Sequence, residues 1–139
     1  MTATAPITVL FACVRNAGRS QMAAAFFNRL ADPARAVAIS AGTQPGSHIH
    51  PQVVAVMRET GLDLGLAVPR LLTPAVAASA NWLVTMGCGE SCPVVPGARR
   101  DDWPVADPAG LPLDQVRRVR DEILDRVAGF VEQQGWSRR

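Results

Sequence analysis

The chain has 139 residues, 48% of them hydrophobic, which predicts one α/β domain over residues 1–139 with a single sizeable core. Its net charge is +2, and Arg99-Arg100 and Arg117-Arg118-Val119-Arg120 are scattered among acids. That balance speaks against nucleic acid or a membrane surface as partner. The apolar run near the start is too short for a signal peptide, and nothing approaches the ~20 apolar residues of a membrane helix. A soluble, monomeric, cytoplasmic protein is expected. Three cysteines is an odd number, which argues against a structural disulfide framework.

In chain order, Ile7-Thr8-Val9-Leu10-Phe11-Ala12 reads as a buried strand. A helix follows from about Arg19 to Leu30, stopped by Asp32-Pro33. Ala36 to Ser40 is the second strand, ended by the turn-rich Ala41-Gly42-Thr43-Gln44-Pro45-Gly46. Pro51 opens a helix to about Thr60, with Gly61 past its end. Gly65 to Leu72 is ambiguous and includes room for a short extended piece. Thr73 caps a short helix beginning at Pro74. Trp82 to Met86 is the next strand, and an edge strand is expected near Arg100–Trp103. The last helix runs from Leu113 to about Gln134, with Val116, Val119, Ile123, Val127 and Phe130 forming its core stripe. Strands alternating with helices imply a parallel sheet covered on both faces.

The chemistry concentrates where the first strand meets the first helix. Cys13 is followed by Val14-Arg15-Asn16-Ala17-Gly18 and then Arg19-Ser20. A loop at the carboxyl edge of a sheet that opens into a helix aims unpaired amides and a positive dipole end at one spot. Gly18 leaves room for an approaching anion, and Asn16 tolerates a left-handed conformation. Arg19 offers a planar fork for two oxygens, and Arg15 adds positive charge. Ser20 either caps the helix or bonds the sulfur. The same field favours the thiolate form of Cys13. The site is a cradle for a tetrahedral oxyanion with a nucleophile at its base.

Cys88 and Cys92 follow the Trp82–Met86 strand, whose carboxyl end is expected on the same rim as Cys13. Gly87 and Gly89 flank Cys88 and leave its backbone pliable. Cys88 and Cys92 are close enough in sequence for their Cα atoms to come within the ~4.4–6.8 Å a disulfide needs. Zinc is not indicated, because there is no second pair and the histidines, His48 and His50, sit in another loop. No metal and no cofactor are expected.

Cys13 through Ser20, with Gln21-Met22-Ala23, resembles the signature of the low-molecular-weight protein tyrosine phosphatase fold, and most of all its arsenate reductase branch. The resemblance implies a three-layer α/β/α domain with a four-stranded parallel sheet. It implies that Cys13 attacks arsenate and that Arg19 and the loop residues 14–20 bind it. Cys88 then attacks the Cys13 sulfur and expels arsenite, and Cys92 attacks Cys88 to free Cys13. Thioredoxin, or a mycothiol and glutaredoxin-like system, reduces the final disulfide. Asp107, before Pro108, resembles the family's acid dipeptide and would protonate the departing oxygen; it is preferred to Asp101 and Asp102. In the tyrosine phosphatase branch aromatic residues follow that dipeptide. Here Ala109-Gly110 follow and the chain has no tyrosine, which disfavours an aromatic ester. The first helix carries Ala23-Ala24-Ala25 where related reductases place an acid for potassium, so no such site is expected. Hydrolysis of phosphate monoesters is the competing activity.

Overall fold

The computed structural model describes residues 5–87 and 95–138. Its elements are β1 (Ile7–Cys13), α1 (Arg19–Leu30), β2 (Ala36–Gly42), α2 (Pro51–Arg58), α3 (Pro74–Ala78), β3 (Trp82–Thr85), β4 (Arg99–Asp102) and α4 (Leu113–Gln134). The four strands form one parallel sheet in the order β2-β1-β3-β4. The fold is the expected α/β/α arrangement.

Alternation along β1 divides the interior. Val9, Phe11 and Cys13 face a large core filled by Met22, Phe26 and Phe27 of α1, Val53, Val56 and Met57 of α2, and Val116, Ile123, Val127 and Phe130 of α4. Leu10 and Ala12 face the other way, into a small cluster with Ala41, Ala80 and Leu83 against which Val76 of α3 packs. All five residues of the stripe expected on α4 are buried.

An aromatic cluster ties the layers together. The Phe130 ring lies 5.1 Å from Trp82, 5.4 Å from Trp136 and 5.8 Å from Trp103 between centroids, in edge-on geometry. Trp103 follows the edge strand directly, as expected to within one residue, and its side chain is buried in the core between the rings of Phe11 and Phe130.

The strand ends differ from expectation by a residue or two. β1 runs to Cys13 because Cys13 pairs with Gly42, the end of a longer β2. The ambiguous 65–72 stretch supplies one parallel bridge, Leu71 to Gly42. At the outer border of β2 the Asn28 side chain donates to Ala38 O (3.0 Å) and accepts from Ala38 N (2.8 Å). On the opposite border all four residues of β4, Arg99-Arg100-Asp101-Asp102, are exposed. The expected cap of α3 is present, since Thr73 Oγ1 accepts from Val76 N. α2 stops at Arg58, two residues early, and the chain turns at Gly61 with φ +84°.

Candidate active site

β1 is an inner strand with β2 on one side and β3 on the other, so its carboxyl end opens on the crevice where sheet order reverses. The loop from Val14 to Gly18 leaves that end and enters α1. Its shape is set by the segment after β2. Thr43 N donates to Cys13 O, Gln44 N to Val14 O, Gly46 N to Arg15 O and His50 N to Ala17 O. Four carbonyls are therefore drawn outward. A trans peptide places its N–H opposite its C=O, so the next amides, those of Val14, Arg15, Asn16 and Gly18, face the inside of the loop. The amide of Asn16 shows the result: it donates to Cys13 Sγ at 3.3 Å. This scaffold was not visible in the sequence, where 43–50 reads only as a turn-rich connection.

Cys13 is a free, buried thiol, 2% exposed. Ser20 does not cap α1, whose N-cap is Gly18; its Oγ lies 2.9 Å from Cys13 Sγ instead. Asn16 has φ +52°, the left-handed conformation expected of it, and is fully buried. Its Nδ2 donates to Ser20 Oγ at 2.7 Å. Arg15 is exposed on the outer wall of the loop.

Arg19 is 9% exposed and held from two sides. Nη1 donates to Val105 O (3.2 Å) and Nη2 lies 3.8 Å from Asp107 Oδ2. Gly87, at φ +95°, lies against the guanidinium: a Cβ there would sit 2.2 Å from Nη1. Sequence reading assigned Gly87 a pliable backbone beside Cys88; its contact with Arg19, sixty-eight positions earlier in the numbering, leaves no local signal. Gly18 has a role beyond the expected one. Its missing Cβ points at Pro108 Cγ, 3.0 Å away, so its lack of a side chain also seats the Asp107-Pro108 turn. Gly42 is a third tight spot, where a Cβ would lie 2.5 Å from Val14 O and 2.9 Å from Asn16 N.

Asp107 is 57% exposed and accepts from Ala109 N at 3.0 Å, which fixes one oxygen and leaves the other toward Arg19. Asp101 and Asp102 are otherwise engaged. Asp101 accepts from Trp103 Nε1 (2.9 Å). Asp102 bonds the Thr85 hydroxyl and Arg100, which together hold its carboxyl below the ordinary aspartate value. Cys88 and Cys92 lie outside the described residues. Among the described residues no group of three His, Cys, Asp or Glu side chains converges on a point. Ala23 and Ala24 of α1 are buried in the large core.

The site thus brings together a thiol, inward-facing amides, a guanidinium and a carboxyl at one rim. Residues 8–135 match the family model of low molecular weight phosphotyrosine protein phosphatases. The chain belongs to this family. Among its relatives in the family, a Halobacterium salinarum protein provisionally named as an arsenate reductase is 37% identical over 129 residues, covering 88% of this chain and 89% of its own. The arsenate reductase of Staphylococcus aureus (strain Newman) is 32% identical over 128 residues, covering 88% and 95%. Of solved structures, the thioredoxin-dependent arsenate reductase of Corynebacterium glutamicum superposes with a TM-score of 0.80 at 35% identity, over 95% of this chain. This chain spans 63% of that longer one. The arsenate reductase of Archaeoglobus fulgidus gives 0.76 at 32% identity, covering 89% of this chain and 98% of its own. No described helix is long and apolar enough to cross a membrane.

Proposed function

We propose that this protein reduces arsenate to arsenite by a thiol relay, in the cytoplasm, as a monomer, with thioredoxin as the external reductant. The observation that carries the reading is the Cys13 sulfur lying beneath inward-facing amides with Ser20 Oγ at 2.9 Å, and with Arg19 and Asp107 at the rim. Arsenate has the shape and charge of phosphate and fits such a cradle. Three of the relatives above bear the name arsenate reductase, one of them thioredoxin-dependent.

In the proposed sequence the Cys13 thiolate attacks arsenic and Asp107 protonates the oxygen that leaves as water. The loop amides, Arg19 and Ser20 hold the remaining oxygens and the sulfur. Cys88 attacks the Cys13 sulfur; the As–S bonding pair stays on arsenic, which departs as arsenite, and a Cys13–Cys88 disulfide forms. Two thiols have lost the two electrons that arsenic gains. Cys92 then attacks Cys88, releasing Cys13, and thioredoxin reduces the Cys88–Cys92 disulfide by exchange. Cys13, Arg19 and Asp107 alone would also serve phosphate-ester hydrolysis; the thiols at 88 and 92 are what favour reduction.

The test is arsenate-dependent NADPH consumption with thioredoxin and its reductase, for the wild type and for Cys13→Ser, Cys88→Ser and Cys92→Ser. Wild-type turnover lost in each variant is expected. Turnover retained in Cys88→Ser would replace the internal relay by a small-thiol route. Hydrolysis of para-nitrophenyl phosphate without arsenate-dependent consumption would overturn the reading.

A further inference from the structure

The thiol of Cys13 stands at the end of a hydrogen-bond chain whose polarity is set at the surface. Gln21 Nε2 donates to Val68 O (3.4 Å) and to Asn16 Oδ1 (3.0 Å). Arg70 N donates to the same Asn16 oxygen at 2.9 Å. Asn16 Nδ2 therefore faces inward and donates to Ser20 Oγ. A hydroxyl has one proton, and Ser20 Oγ already accepts from Asn16. Its proton is left for Cys13 Sγ, 2.9 Å away.

Two backbone groups decide this direction. A carbonyl only accepts, so Val68 O fixes which end of the Gln21 amide faces it. A backbone N–H only donates, so Arg70 N holds the Asn16 oxygen outward, and Gln21 Nε2 is the second donor on that same oxygen. Gln21 links the two: both of its amide protons are used, one on each partner. Were the Asn16 amide reversed, Oδ1 would face Ser20, take the hydroxyl proton and leave the sulfur without it.

We infer that Gln21 is a positioning residue that orients the Asn16 amide and thereby aims the Ser20 proton at the Cys13 thiolate. Gln21 makes its hydrogen bonds to Asn16 and Val68, not to the sulfur; it acts through Asn16 and Ser20. The inference rests on the proposed reaction and deepens it by naming what aims a hydrogen-bond donor at its nucleophile, yet it is read from the thiol itself and needs no arsenate.

The test is alkylation of Cys13 by iodoacetamide from pH 4 to pH 10, followed by mass spectrometry of the tryptic peptide 1–15, which ends at Arg15. Gln21→Met removes both donors at similar length. Its alkylation profile is expected to move toward alkaline pH, by about 0.5 to 1 on the pH scale, the size of one net hydrogen bond. On a Ser20→Ala background the same change is expected to move nothing further, because the chain is already cut. Gln21→Leu, which also lacks both donors and adds no charge, moves the profile the same way and is read alone if Gln21→Met unfolds. An unmoved profile in the folded variant would overturn the inference, whatever happens to turnover. So would an equal shift with and without Ser20. A wild type that turns over no arsenate would sink the proposed function and leave this result untouched.

Discussion

Gly87→Ala separates the placement of Arg19 from the stability of the fold. The new methyl would begin 2.2 Å from Arg19 Nη1, whereas ordinary contact starts at 3.4 Å, so the guanidinium must retreat by 1.2 Å or more. The obstructing atom is the far end of a side chain, so the fold survives and the fork gives way. A misplacement of that size in a positioning group lowers turnover by about 10²-fold. The methyl also occupies φ +95°, a backbone strain of about 1–3 kcal/mol. Gly135→Ala is the control. Gly135 sits at φ +76° with nothing within 4 Å of the built Cβ, at the C-terminal end of α4. It should lose about 1–2 kcal/mol from the left-handed backbone and keep full turnover. Guanidinium melts give the stabilities. Arsenate-dependent NADPH consumption gives turnover, and protection of Cys13 from alkylation by arsenate gives binding without the Cys88 loop. Undiminished protection in Gly87→Ala, or an equal activity loss in Gly135→Ala, would refute the argument.

Three further outcomes are expected. Gly42→Ala meets backbone atoms at 2.5 and 2.9 Å that cannot step aside, so it should cost at least about 2 kcal/mol in a denaturant melt and slow alkylation of Cys13 as the loop shifts. Phe130→Ala empties the centre of the aromatic cluster and should cost about 3–5 kcal/mol by the same measurement, with activity retained where the protein stays folded. Glu59 joins α2 to Arg117 and Arg120 of α4, whose hydrogen bonds lower its pKa from 4.5 to about 2. A depressed carboxyl stabilises the fold above its unfolded value and loses that contribution as pH falls from about 4.5 to about 2. The melting temperature of the wild type should therefore converge on that of Glu59→Gln across this interval and exceed it at neutral pH.

Whatever depends on neighbours in sequence was readable before any coordinates. The apolar run of β1, the strand-to-helix turn from Cys13 to Ser20 with its left-handed Asn16, and the α4 stripe each carry a local pattern, and these elements lie where expected. What escaped is long-range. The carbonyls of residues 13, 14, 15 and 17 find donors at 43–50, Arg19 finds Val105 and Gly87, and Gln21 finds Val68. A glycine required by a distant guanidinium looks, in one dimension, like a glycine in a loop. The burial of Trp103 escaped for the same reason: it follows a strand of charged residues, and only the approach of Phe11 and Phe130 makes its position core.

The borders of the sheet bear on how copies of such a protein stay apart. Asn28 acts as an amide plug on β2, taking the N–H and C=O that another chain would need to pair there. Arg99 through Asp102 line the other border with charge, and a second copy docking in parallel register would set like charges side by side. Parallel stacking of further copies on either flank is thereby disfavoured.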